Sequence, residues 1–405
     1  MPSTPRSVNS TSPLYQRLPR QVAIGALLLL ASAVDTGLQA RRNPPMDPDQ
    51  YCCDHLFYRS MAFNLFAITR PDLNQPLNNF SIAGLYVHPY FSRFMYPANG
   101  YNRQPPYCYR IVTPLLARAI SLIGSVSIDD GFYLITVVSL TLAAFFLALA
   151  VHRLSHGVVL ALMSVVAYGQ LREVFAFNLT QPMLTDPLAH CLLALSTYLI
   201  IAGRPYWFVA VCLMGLFNKE IHLFMLPCGV LFQMLSGRPW KRMSLACGGI
   251  VAFYFAFRLL LPVPINTYSL AGNLMEIPPL TSVVQWLIDV FGVMVVATVL
   301  RLPRRLINLA LLPQALGAVV IGIGFSNIGP VDLYRALDYA APLVIVATFG
   351  AATQSRWAWL LAAVPGALFI AQTMMALNTT ILLVIAVATE IALAAVTRHD
   401  ATLDR

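Results

Sequence analysis

The sequence predicts an all-α polytopic membrane protein, with about 12 transmembrane helices and a long first extracytoplasmic loop carrying surface helices. Three observations predict it. Hydrophobic residues make up 58% of the 405 residues and charged ones 11%, with a mean hydropathy of +0.69. A soluble domain carries roughly 25% charged residues, so this composition does not keep a surface in water. Apolar runs recur along the chain, many near the ~20 residues that cross a bilayer and several shorter. The basic residues fall in alternate connections between those runs, as the positive-inside rule requires.

The runs lie near 21–38, 131–151, 157–171, 187–203, 206–218, 221–236, 243–261, 283–300, 306–325, 337–353, 357–376 and 379–397. The first has Arg17 and Arg20 ahead of it, like a signal peptide, but no small-x-small cleavage site follows, so it reads as an uncleaved span. With the N-terminus inside, the even connections are also inside. They hold His152 and Arg153, Arg204, Arg238 with Lys241 and Arg242, Arg301 with Arg304 and Arg305, and Arg356. The short outside connections hold only Arg172, Lys219 and Arg335. Residues 1–405 thus form one membrane domain, both termini are cytoplasmic, and 39–130 is the first extracytoplasmic loop. No internal repeat is evident. Residues 111–126 have the look of a further span, but counting it would place every basic connection downstream outside, and Arg118 interrupts it. They read as an amphipathic helix at the membrane surface, with Pro114 in its first turn.

The net charge of +9 would suggest nucleic acid in a soluble protein. Here the basic residues flank apolar runs and set topology, so no nucleic-acid partner is expected. Cys191, Cys212, Cys228 and Cys247 lie in apolar runs and read as small buried hydrophobes. Cys52, Cys53 and Cys108 share the long loop, where one pair can be oxidised if the compartment allows. No Cys/His spacing suggests a zinc site.

The outside connections concentrate the unusual polar residues. The long loop carries Asp54, Tyr58 and, near its end, Arg110. The next carries Asn178, Gln181, Thr185, Asp186 and, one turn into its span, His190. Lys219 and Glu220 sit between two spans with almost no loop. The late connection carries Asp332, Tyr334, Arg335 and Asp338. Each has a plain structural reading. Asp186 can cap a helix, Glu220 can face a helix dipole with Lys219 as its ion-pair partner, Asp338 can pair with Arg335 across one turn, and His190 and His222 can be hydrogen-bonded structural residues. As a set they are carboxylates, cations and tyrosines on one membrane face. That is the makeup of a site for an anionic headgroup, with a carboxylate available as base.

The order of these features resembles the GT-C superfamily of integral membrane glycosyltransferases. A short tail and one span precede a long first loop with an early Asp and aromatic neighbours. A Tyr109-Arg110 … Thr113-Pro114-Leu115-Leu116-Ala117 phrase closes that loop. Thr185-Asp186-Pro187, Lys219-Glu220 and a late Arg335 follow. The likeness is to bacterial members and, more distantly, to the GPI mannosyltransferases. It implies transfer of a sugar from a polyprenyl-phosphate-linked donor to a glycan, lipid or protein acceptor on the extracytoplasmic face of a bacterial inner (plasma) membrane, with membrane lipid around it. It implies a first-loop carboxylate as catalytic base, by position Asp54, although Asp47 and Asp49 stand close by. Arg335 is implied to meet the carrier phosphate, with Arg110 or Lys219 beside it. Asp186 and Glu220 would hold sugar hydroxyls or orient the cations, and Tyr58, His190 and Asp338 complete the expected substrate-binding set. Metal dependence varies across that superfamily, so a divalent cation stays open as a cofactor and no residue is assigned to one. Two other classes remain alongside: a transporter or flippase, and a non-catalytic subunit of polysaccharide assembly. The absence of a repeat and the scarcity of charges within the spans (Asp35, Arg258, Asp289 and Glu390) weigh against transport.

Overall fold

A computed structural model describes residues 14–46, 58, 62, 80–82, 85–87, 110–260, 278–326, 330–350 and 356–403. They are helical apart from one short antiparallel hairpin, β1 (Phe80–Ile82) with β2 (Leu85–Val87). The helices in chain order are α1 (Leu14–Arg42), α2 (Val112–Gly124), α3 (Ile128–Ser155), α4 (Val158–Gly169), α5 (Asp186–Ile201), α6 (Pro205–Leu216), α7 (Met225–Leu235), α8 (Trp240–Leu260), α9 (Leu280–Phe291), α10 (Met294–Arg301), α11 (Leu306–Phe325), α12 (Pro330–Leu337), α13 (Ala341–Phe349), α14 (Arg356–Met375) and α15 (Thr379–Leu403).

Among the described residues, four helices are long and apolar enough to cross a membrane: α1, α3, α8 and α11. The count rises to six if two bent pairs each make one span. One pair is α4 with Glu173–Thr180, bent by 60°, and the other is α9 with Met294–Arg304, bent by 114°. Other predicted spans fall on shorter helices, of 16 residues in α5, 12 in α6, 11 in α7 and 9 in α13. At 1.5 Å per residue these extend roughly 13–24 Å, short of the ~30 Å hydrocarbon core. Hydropathy marked them because they are apolar on all sides, which is also the signature of a helix buried within a bundle. All nine residues of α13 are buried, at the centre of the apolar core.

Local signals explain the strongest element. Ser127 caps α3 by accepting from the Asp130 amide at 3.0 Å. Asp129 and Asp130 lie in its first turn and His152 and Arg153 in its last, both matched to the helix dipole. The 114° bend between α9 and α10 occurs at Gly292, which has φ 52°. A Cβ there would come within 2.5 Å of Gln372 Oε1 and 2.9 Å of the Phe369 ring, so both conformation and space demand glycine. The expected amphipathic helix at 111–126 is α2. Its Thr113, Pro114 and Ala117 are buried, while Leu122 and Ile123 are exposed.

α1 packs on α3 and α4 through a polar stripe, Ser32, Asp35, Thr36 and Gln39, at helical spacing. Gln39 Nε2 donates to the Gly169 carbonyl at 2.9 Å. The expected burial of Cys191, Cys212, Cys228 and Cys247 holds. Cys52, Cys53 and Cys108 lie outside the described residues.

The connections collect at two ends. At one, the Arg305 guanidinium donates to the Leu154 carbonyl at the close of α3. Beside it Arg301, 3% exposed, is ion-paired with Glu390, 1% exposed, and donates to the Thr348 and Ala362 carbonyls. Arg304 reaches the other Glu390 oxygen at 3.4 Å. This ties α10, α13, α14 and α15 together. Removing one partner of a buried ion pair strands the other charge, so Glu390→Leu is expected to cost about 3 kcal/mol. Thermal unfolding of the purified protein in detergent checks it; a Tm within a degree of wild type would show that the pair carries little weight. The opposite end holds the residues described next.

Candidate functional site

Local chemistry at this end starts with Pro187, which suits the first turn of α5 and leaves Asp186 as the first helical residue. Thr185 precedes it, and its carbonyl is held by Asn218 Nδ2 at 2.8 Å. Asn218 Oδ1 accepts from Thr113 Oγ1 at 2.6 Å. The Val112 amide donates to the Phe217 carbonyl at 3.3 Å. One fully buried asparagine thereby fastens the start of α2, the turn after α6 and the start of α5. The close fit continues at Gly215, where a Cβ would lie 2.2 Å from the His222 ring.

On that frame Asp186 collects three donors. Arg335 Nη2 donates to Oδ2 at 2.7 Å, while Lys219 Nζ and Tyr339 Oη both donate to Oδ1. The Asp186 side chain is 3% exposed, against 15% for Lys219 and 14% for Arg335. Arg335 lies in α12, whose first turn supplies Asp332 at 2.8 Å from Nη1, and its guanidinium stacks on Phe177 at 4.7 Å. Phe177 ends a π-helical turn, Glu173–Phe177, that follows the break after α4. Such turns interrupt helices where side chains must be re-aimed. Lys219 Nζ stands 5.2 Å from the Tyr339 ring centroid, and His190 stacks on the same ring at 4.7 Å.

A second pair adjoins the first. Arg110 Nε and Nη2 meet Glu220 Oε2 at 3.0 and 2.9 Å, and Nη1 donates to Tyr58 Oη at 3.1 Å. Tyr58 is buried. The Tyr-Arg…Thr-Pro phrase therefore has a physical role, since Arg110 and Thr113 dock the end of the long loop onto Asn218 and Glu220.

Burial pulls the Lys219 ammonium down to about 8, with Arg110 and Arg335 adding to the effect against the opposing charge of Asp186. Burial also works against the Arg335 charge, but Asp186 outweighs it and holds the guanidinium above its usual range. For Arg110, Glu220 and Tyr58 likewise outweigh burial. The inner cluster holds three cations (Arg110, Lys219, Arg335) and two carboxylates (Asp186, Glu220), and Asp332 on the rim, 39% exposed, brings the ion-paired carboxylates to three.

Of the residues singled out in the sequence, Tyr58, Arg110, Asp186, His190, Lys219, Glu220 and Arg335 come together here. Asp54, with Asp47 and Asp49, lies outside the described residues. Asp338 is buried near this end, with Oδ2 lacking a hydrogen-bond partner among the described residues. Three local expectations are corrected. Lys219 pairs with Asp186 and not with its neighbour Glu220, which takes Arg110. Arg335 pairs with Asp186 and Asp332, not Asp338. Asp186 does not cap α5, because its oxygens are taken by side-chain donors. Adjacent and near-neighbour charges lost to distant ones that share a desolvated pocket, where attraction is stronger. Sequence reading missed Tyr339, Phe177 and Asn218. Tyr339 and Asn218 adjoin residues it had marked, whereas nothing in the sequence distinguishes Phe177 from the surrounding apolar residues.

These features define a multi-helix apolar protein with a buried, hydrogen-bonded charge cluster at one end. Comparison with protein-family profiles, with characterised proteins and with solved structures finds no match. Among the described residues, no group of three or more His, Cys, Asp and Glu side chains has the arrangement of a metal site.

Proposed function

We propose that the protein is an integral membrane glycosyltransferase that moves a sugar from a polyprenyl-phosphate-linked donor to an extracytoplasmic acceptor. The observation that carries this reading is the convergence of Lys219 and Arg335 on Asp186, with Arg110 and Glu220 beside them, at one end of apolar helices. Fixed cations at the end of an apolar bundle suit a phosphate whose chain lies in lipid, and they stabilise charge that builds on a leaving phosphate. Arg335 Nε and Glu220 Oε1 are buried and have no hydrogen-bond partner among the described residues, which leaves bonding capacity for phosphate and sugar groups.

In this reading the apolar helices lie in the bilayer, with the cluster on the extracytoplasmic side. Asp54 takes the proton from the acceptor hydroxyl. That oxygen attacks the anomeric carbon from the face opposite the phosphate. The bond from carbon to phosphate oxygen breaks, and the lipid phosphate leaves with the electron pair, inverting the centre. Asp54→Asn in purified protein given a lipid-linked sugar is expected to lower transfer by about 100-fold or more. Undiminished transfer by a folded variant would remove Asp54 from the role.

Lys219 supplies a pH signature. Its ammonium is charged below about 8 and neutral above. Binding of the donor phosphate is therefore expected to weaken as pH rises from 7 to 9, and Lys219→Arg is expected to flatten that profile. Equal slopes in the two proteins would exclude Lys219 as the titrating group.

One observation favours transport as a second reading. Asp35, inside α1, has Oδ2 buried with no hydrogen-bond partner among the described residues, against Gly169. An intramembrane carboxyl is a common element of ion pathways. Accumulation of an unaltered lipid or glycan in proteoliposomes, lost in Asp35→Asn, would decide for it.

A further inference from the structure

A three-residue phrase occurs twice in the chain, as Gly203-Arg204-Pro205 and Gly237-Arg238-Pro239, with Tyr206 and Trp207 after the first and Trp240 after the second. Each copy closes one helix and opens the next. The backbone repeats bond for bond. The amides of Ala202, Gly203 and Arg204 donate to the carbonyls of Tyr198, Ile200 and Leu199, and those of Ser236, Gly237 and Arg238 donate to Phe232, Met234 and Gln233. Gly203 and Gly237 have φ 68° and 65°, so both turns are left-handed glycine caps. The first ends α5, which starts at Asp186, and the second ends α7, which follows Lys219 and Glu220. Both turns therefore lie at the end of these helices remote from the charge cluster.

The two turns sit side by side. A Cβ on Gly203 would lie 3.2 Å from Arg238 Nη1, so the second arginine reaches across to the first turn. Lys241 and Arg242 follow in the first turn of α8. Arg204, Arg238, Lys241 and Arg242 are all exposed, and none is ion-paired among the described residues. From residue 187 to residue 260 the one carboxylate is Glu220, in the cluster at the other end. Next to these cations in the chain, Tyr206, Trp207 and Trp240 are 83%, 68% and 40% exposed. Leu245, one turn further along α8, is also exposed. A single arginine after a helix is explained by the helix dipole and by membrane topology. Neither explains two such turns placed together without a counter-charge and flanked by aromatic rings of the kind that lie at a membrane–water boundary.

We infer that the paired Gly-Arg-Pro turns hold the phosphate of an anionic phospholipid at the bilayer boundary. Arg204 and Arg238 present planar guanidinium groups, which meet phosphate oxygens with two parallel hydrogen bonds. Lys241 and Arg242 add charge, and Tyr206, Trp207, Trp240 and Leu245 offer apolar surface to the acyl chains. A free phosphate has the same chemistry at the arginines but nothing to cover that surface. This site is separate from the one proposed for a sugar donor, and it needs only that the apolar helices lie in a bilayer.

The test counts lipids retained by the full-length protein in native mass spectrometry, during titration from detergent with phosphatidylglycerol or phosphatidylcholine. Phosphatidylglycerol is expected to bind in preference. Arg204→Gln combined with Arg238→Gln is expected to weaken its binding about 30-fold, or ~2 kcal/mol at roughly 1 kcal/mol per basic residue near the surface. Arg20→Gln combined with Arg153→Gln is the control. Those two arginines are exposed at the same end, near the start of α1 and in the last turn of α3, so the pair removes equal charge elsewhere. Its binding is expected to stay within threefold of wild type. Equal losses in the two pairs, equal binding of phosphatidylcholine, or displacement of phosphatidylglycerol by an equal concentration of inorganic phosphate would overturn the inference. A second measurement needs no variant. Brominated phosphatidylglycerol is expected to quench tryptophan fluorescence more than brominated phosphatidylcholine at the same mole fraction, and equal quenching would also overturn it.

Discussion

Asp186→Ala is expected to destabilise the protein by about 3–5 kcal/mol, the largest effect of any single substitution in the cluster. The carboxylate neutralises Lys219 and Arg335 together and accepts from Tyr339. Its removal leaves the Lys219 ammonium, 15% exposed, and the buried Tyr339 hydroxyl without their acceptor, and leaves Arg335 with Asp332 alone. Burying charge without a counter-charge is among the few single changes that cost so much. Asp186→Asn keeps the shape and part of the hydrogen bonding, so its loss should be smaller but of the same sign. Unfolding monitored by thiol labelling of Cys191 and Cys212 provides a direct readout, because both thiols are buried near this region and react only once it opens. Protection of those thiols equal to wild type in Asp186→Ala would mean that the cations find other acceptors.

Arg335→Met is expected to fold and to lose function, in contrast to Asp186→Ala. Methionine fills the space along Phe177, and the substitution leaves Asp186 with Lys219 and Tyr339 as donors. The fork that reaches Asp186 and Asp332 at once disappears. In the proposed reaction that guanidinium stabilises the departing phosphate, and removing one such donor typically costs about 10²–10³ in kcat. Arg335→Lys should recover little of it, because a lysine supplies a point charge without the planar fork. A kcat within threefold of wild type for Arg335→Met, with unchanged Tm, would contradict the assignment; the loss should appear in kcat more than in KM.

How much of this was legible in the sequence differs between level and level. The mainly helical, apolar character followed from composition and the apolar runs, whereas the run read near 131–151 extends to Ile128 and Ser155 at the ends of α3. The number of crossings did not follow. The same apolar run describes a helix that spans lipid and a short one packed inside protein, and α13 and α5 are the second kind in length. The charged members of the cluster were legible because charges next to apolar runs are costly and need a reason. Seven of the marked residues meet, though they come from segments as far apart as Tyr58 and Arg335. The pairings were not legible. Neighbours in sequence suggested Lys219 with Glu220 and Arg335 with Asp338, but partners in a desolvated cluster are chosen by three-dimensional proximity. The latch through Thr113, Asn218 and Thr185 was invisible for the same reason, since an asparagine beside a lysine carries no signal of what it will hold.

In the proposed reaction the Asp186–Lys219–Arg335 cluster handles the phosphate of the lipid-linked sugar during transfer. The most direct measurement follows a polyprenyl-phosphate donor labelled in its sugar, incubated with purified protein in proteoliposomes together with a membrane extract as acceptor source. The label is expected to leave the lipid phosphate for a new acceptor with wild type, and Arg335→Met is expected to slow this by about 100-fold while its Tm is kept. Label that stays on the original lipid with wild type, or that moves equally fast with Arg335→Met, would contradict it.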